Sequence, residues 1–219
     1  MKKIILCLTA TAFMIFGCYQ PNTSFDKTKK EEKSKIVSIE DIEMQRLNSG
    51  VKKDTIIEGL VFGMNQKQVT KILNQLKKEK KVKQFAPNED GNQILADYDI
   101  GVKDYTVYGL MDLRFYNNEL FLCQIYFKEN LNSVSMFTLS SDFLKLFKES
   151  LGQHQYEKSS LAGTAYIWIE GNRTLSIGSM SNPYETENDF YMIEYKENSR
   201  NNQAMKNQQE NIDKKKPKI

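Results

Sequence analysis

Apolar side chains fall at Val69, Ile72, Leu73 and Leu76, the three- and four-residue spacing of one helical face. Asn65 stands where an N-cap belongs, and Gln68 three residues on completes a capping box. The pattern predicts a helix from Gln66 to about Lys80, whose lysine-rich end suits the negative end of the helix dipole. The period then changes to two. Between Tyr105 and Tyr116, Val107, Met111, Leu113 and Phe115 alternate with Tyr108, Leu110, Asp112, Arg114 and Tyr116. After Asn117-Asn118, a pair that tolerates positive φ, the chain returns over Leu120 to Lys128 with Phe121, Cys123, Ile125 and Phe127 on one side. This predicts an antiparallel hairpin.

A shorter strand is expected at Gln93 to Tyr98. A second amphipathic helix is expected over about Val134 to Leu151, with Met136, Leu139, Phe143, Leu144, Phe147 and Leu151 as its apolar face and Gly152 as its stop. Thr164–Glu170, Arg173–Ser179 and Phe190–Lys196 read as three more strands, the first two joined by Gly171-Asn172. Each half thus reads as a helix followed by three strands. The expected fold is α+β: an antiparallel sheet of about six strands in the order α-β-β-β-α-β-β-β, with two main helices on one face. Two small α-β units in tandem are the alternative. The expected domain spans residues 56–196. Residues 18–55 are polar and charged and read as a tether, with one short helix allowed near Ser38 to Leu47, where Ser38 and Asp41 form a cap. Residues 197–219 are rich in Asn, Gln and Lys and read as a disordered tail.

The first eighteen residues follow a different logic. Lys2 and Lys3 precede a 13-residue apolar run, Ile4 to Phe16. That is too short for about 30 Å of hydrocarbon and right for a secretory signal. Ile15-Phe16-Gly17-Cys18 resembles the lipobox of bacterial lipoproteins, although Phe16 is larger than that pattern favours. The resemblance implies that residues 1–17 are removed, that Cys18 is lipidated, and that the protein is exported and anchored to the cell envelope. Tyr19, standing where an Asp retains lipoproteins at the inner membrane, implies the outer membrane in a cell that has one. An ordinary signal peptide cut elsewhere, or an uncleaved anchor, are the alternatives.

Of three cysteines, Cys7 goes with the signal and Cys18 carries the lipid, leaving Cys123 as an unpaired thiol expected in the core. Residues 56–195 carry 14 basic and 18 acidic side chains, net −4 before the basic tail, which argues against nucleic acid as a partner.

Gly63-Met64-Asn65-Gln66-Lys67-Gln68-Val69 is similar to the opening of small envelope lipoproteins of the SmpA/BamE type. The repeated α-β order is similar to that of β-lactamase-inhibitory-protein-like domains. Both resemblances imply a non-enzymatic binding scaffold; neither carries a functional residue over.

No catalytic residue, cofactor site or metal site is assigned. His154 reads as a solvated loop histidine. Asp97, Asp99 and Asp104 around Gly101 read as a turn, lacking the spacing of a calcium loop, and Glu185, Glu187 and Asp189 read as a polar loop. The aromatics are more suggestive: Tyr108 and Tyr116 share one side of the first hairpin, and Tyr166 and Trp168 share one side of a later strand. Together they form the candidate binding surface if helices cover only the other face. The expected function is that of a membrane-anchored envelope lipoprotein, binding a protein or glycan partner or assisting assembly. An envelope hydrolase or glycan-acting accessory protein, and an inhibitor of a foreign hydrolase, are the alternatives.

Overall fold

A computed structural model of the chain describes residues 38–102, 105–128, 135–160, 163–181 and 189–215. The expected signal peptide, Cys18, Asp104, Glu185 and Glu187 lie outside the described residues. Among the described residues the fold is α+β, with one antiparallel sheet and four helices. Helix α1 spans Ile39–Leu47 and α2 Gln66–Lys78. Strands β1 (Val82–Pro87), β2 (Gln93–Val102), β3 (Tyr105–Tyr116) and β4 (Glu119–Lys128) follow. Then come α3 (Met136–Leu151), β5 (Tyr156–Ser160), β6 (Gly163–Glu170), β7 (Arg173–Ser181), β8 (Asp189–Glu197) and α4 (Asn198–Lys215).

Each half is therefore a helix and four strands, not three. The eight strands lie in the order β1-β2-β3-β4-β8-β7-β6-β5, so two meanders run outward from a central β4–β8 pair in which Ile125 faces Ile193. The two strands missing from the sequence reading are the two edges. β1 buries only Val82, and β5 (Tyr-Glu-Lys-Ser-Ser) offers no apolar alternation, because an edge strand has half the neighbours of an inner one. Asp97 and Asp99, read as part of a turn, belong to β2, which continues to Val102 because β3 pairs with it along its whole length.

Local chemistry sets the boundaries. Asn65 Oδ1 accepts from the Gln68 amide while Gln68 Oε1 accepts from the Asn65 amide, closing the capping box on α2. Ser135 caps α3, and Gly152 ends it at φ +80°. Asn117 and Asn118 both take positive φ, so the β3–β4 turn twists with its strands.

Helices α2 and α3 lie on one side of the sheet, as expected. Val69, Leu73 and Leu76 of the first and Leu139, Phe143 and Phe147 of the second join one core with Met111, Leu113, Ile125, Phe127, Tyr191 and Ile193. Phe143 packs 5.2 Å from Phe127 and 6.0 Å from Tyr191, centroid to centroid. Cys123 is fully buried there, as the sequence implied, and burial raises its thiol pKa well above the ordinary value.

Two expected boundaries fail. Residues 38–55 are not tether: α1 rests against β6, and Asn172 clamps the segment that follows. The Asn172 amide donates to Val51 O (3.1 Å), its Oδ1 accepts from the Lys53 amide (2.6 Å), and its Nδ2 donates to Asp54 Oδ1 (3.0 Å). Nor is the stretch after 197 structureless. The Glu197 carboxylate accepts from the amides of Ser199 and Arg200, Arg200 Nε reaches Glu119 Oε2 at 2.6 Å, and Asn207 bonds the Tyr116 hydroxyl. α4 is built on polar bonds, which leave no apolar period to read.

Candidate functional site

The sheet's two faces are covered unequally. On the side away from α2 and α3, here called the second face, α1 lies over β6 and α4 runs past the ends of β3, β4 and β8. The part formed by β2, β3 and β4 carries large apolar side chains open to solvent: Leu95 is 38% exposed and Leu110 39%. Leu95 lies opposite Asp112, and Leu110 opposite Asp97 on one side and Tyr126 on the other, so all five share this surface.

Around the leucines the polar groups are fixed to one another. Asp112, nearly buried, accepts from Gln93 Nε2 (2.9 Å) on one oxygen and from Arg114 Nε (3.1 Å) and Nη2 (2.9 Å) on the other. Burial works against the Arg114 charge, but the bond and charge of Asp112 outweigh it and raise the Arg114 pKa. Glu194 on β8 accepts from Gln124 Nε2 at 2.6 Å, and Gln124 accepts from the Tyr126 hydroxyl. Burial and then the Asp112 charge push the Tyr126 phenol up to about 12, so it remains a donor through the physiological range. Asp97 accepts from Gln84 Nε2 (2.6 Å). At the far corner Lys83 Nζ sits 3.4 Å from Asp99 and 3.7 Å from the centroid of the Tyr108 ring. The result is a pre-ordered surface with two aliphatic anchors in a hydrogen-bonded frame.

The four aromatic candidates divide between the faces. Tyr108 and Tyr116 lie on the second face, Tyr108 beneath Lys83 and Tyr116 at the end held by α4. Trp168 is 1% exposed in the core against α3, 6.2 Å from Phe147, with its Nε1 donating to Gly152 O. Tyr166 is half-buried on the same side as Trp168. A single aromatic surface is therefore not what these four residues make, because α3 closes over β6–β8 on the side where Tyr166 and Trp168 point. His154 is not solvated either. Its side chain is 13% exposed, its ring lies 5.0 Å from that of Tyr166 and 5.8 Å from that of Trp168, and Nε2 is 2.6 Å from Glu157 Oε1. The residues that sequence reading passed over are Leu95, Leu110, Asp112 and Arg114. Their signal was present: Asp112 interrupts an apolar strand, and Leu110 falls on the polar side of the alternation.

A cleft of about 470 Å³ opens at one end, between Leu47–Asp54, Glu119, Asn172 and the start of α4. Of its three carboxylates, Glu119 and Glu197 are both held by Arg200, at 2.6 and 3.5 Å, and Asp54 accepts from Asn172 Nδ2 at 3.0 Å. A guanidinium between two acids leaves neither positioned to donate a proton to a leaving group. Among the described residues no three of His, Cys, Asp and Glu assemble as a metal ligand set, and no helix is long and apolar enough to cross a membrane. Compared with protein-family models, with curated proteins and with solved structures, the chain matches none.

Proposed function

We propose that this chain is an envelope lipoprotein, anchored through Cys18, whose folded body is a non-catalytic module that binds another protein. The supporting observation is the uncovered part of the second face, where Leu95 and Leu110 stand open within a frame tied together by Asp112, Arg114, Gln93, Gln124 and Glu194. Ordered polar groups around aliphatic anchors lose little entropy on docking and exclude water at the rim, the usual anatomy of a protein interface. A protein suits this surface better than a glycan. Sugar stacking needs open aromatic rings, whereas here the Tyr108 ring lies under Lys83 and Trp168 is inside the body. The lipobox-like segment Ile15–Cys18 supports the anchor. The hydrolase reading gains little from the cleft, where Arg200 holds Glu119 and Glu197 and Asn172 holds Asp54.

Site-specific photo-crosslinking in the native cells tests the binding role. A crosslinker at Leu110 is expected to give a discrete protein adduct that Leu95→Lys abolishes, while one at Leu146, exposed on the outer side of α3, gives none. Equal adducts from both positions would refute it. The anchor is tested separately: Cys18→Ala is expected to eliminate incorporation of radiolabelled palmitate and release the protein from membranes.

A further inference from the structure

Helix α2 carries four lysines, Lys67, Lys71, Lys77 and Lys78, and no acidic residue. Its core-facing stripe is Val69, Leu73 and Leu76. At about 100° of rotation per residue, Lys67, Lys71 and Lys78 fall on the opposite side, all exposed and within about 40° of one another. They form a straight stripe about 16 Å long. None of the four lysines makes an ion pair among the described residues, whereas Lys81 lies 2.7 Å from Glu58 and Lys83 3.4 Å from Asp99. The helix dipole accounts for Lys77 and Lys78 at the C-terminal end. It does not account for Lys67, the second residue of the helix, or for Lys71 one turn on. A cation in the first turn opposes the dipole, and like charges four residues apart repel, so this stripe is kept at a cost to the helix.

The two sides of the sheet differ in sign. On the open part of the second face, Asp97, Asp99, Asp112 and Glu194 outnumber Lys83 and Arg114. On the helical side α2 contributes four uncompensated cations, while Lys145 and Lys148 of α3 are balanced by Asp142 and Glu149. We propose that the outer face of α2 rests on an anionic phospholipid surface, with the second face turned away from it. Ammonium groups act as point charges on flexible stems, so a stripe of them suits a layer of headgroup phosphates without any built pocket. Each lysine at such a surface gains about fivefold in partitioning, and three together on the order of a hundredfold. Twenty residues lead from Cys18 to Ser38, a length that reaches up to about 70 Å and lets the body turn this side to the lipid. The choice of lipid over nucleic acid rests on the reading of Cys18 as the anchor, but the test below needs no anchor.

The test uses residues 18–219 with Cys18→Ser, which contain every described residue and lack both the apolar leader and the lipid. The protein is sedimented with vesicles of phosphatidylcholine, either pure or with about one-third phosphatidylglycerol, at low salt and at about 300 mM, where screening shortens the reach of each charge. It is expected to bind the anionic vesicles at least tenfold more tightly than the neutral ones, and to lose that advantage at the higher salt. Lys67→Glu, Lys71→Glu and Lys78→Glu together are expected to lower the binding at least tenfold at an unchanged urea midpoint, since Glu suits the first turn of a helix. The same change of charge on α4, at Lys206, Lys214 and Lys215, is expected to lower it less than threefold. Equal binding to neutral vesicles, indifference to salt, equal loss in the α4 variant, or retention by duplex DNA but not by vesicles would each overturn the proposal. Loss of palmitate incorporation is read separately and bears on the anchor alone.

Discussion

At the scale of single residues, the second face depends on Asp112. Its carboxylate is nearly buried and collects three donors, while its partner Arg114 is half-exposed, so removing the acid strands Gln93 and Arg114 without a shared acceptor. We expect Asp112→Ala to cost about 2–3 kcal/mol, read as a lower urea midpoint at unchanged slope. Leu110→Ser, two residues away on the same face, is expected to change stability by less than about 1 kcal/mol, because Leu110 is already 39% exposed and fills no closed core site. The contrast separates frame from anchor: one residue holds the surface in shape, and the other is the proposed point of contact.

At the scale of elements, Gly171 joins two parts of the chain that are distant in sequence. It turns β6 into β7 at φ +58°, and a β-carbon there would fall 2.1 Å from Val51 O. Gly171→Ala is therefore expected to cost about 2–4 kcal/mol through backbone strain and the collision, with faster proteolysis in 38–55 as the specific sign. This contact also shows why the segment was misread as tether. Residues 38–55 are polar because they attach through Glu43, backbone groups and Asn172, and attachment of that kind has no apolar period. The same physics concealed α4 and the edge strands β1 and β5. What was legible was whatever buries an apolar stripe: α2, α3, the β3–β4 hairpin and the inner strands β6, β7 and β8. The site fell between the two cases. Tyr108 and Tyr116 were placed on their correct side, but alternation within a strand cannot say which side the helices take, and Tyr166 with Trp168 went under α3.

At the scale of the whole molecule, the core carries several phenols. Tyr98, fully buried, has its pKa raised by burial and then by the charge of Glu58, to which its hydroxyl donates at 3.1 Å. Burial likewise raises Tyr195, and pushes Tyr191 up to about 12. An unfolded chain releases these protons near pH 10, whereas the folded chain keeps them. Their contribution is thus fully present below about pH 10 and lost as pH climbs toward the folded values, at about 1.4 kcal/mol per pH unit for each group. Denaturant unfolding at half-unit steps from pH 8 to 11.5 is expected to show a plateau and then a steep fall. Tyrosinate absorbance from these residues should appear only with unfolding.

The palindromic strand order has a consequence for how the chain comes into being. The last strand of the first meander, β4, finds its outer partner only in β8, the last strand of the second. Sixty residues separate Lys128 from Asp189. A nascent chain elongating at roughly 5–20 residues per second takes about 3–12 s to cross that interval. Throughout it the first meander presents β4 as a bare hydrogen-bonding edge flanked by Cys123, Ile125 and Phe127, a template for pairing with any neighbouring copy. The window closes only when β8 emerges and pairs with β4, so the sheet is completed at its centre and last.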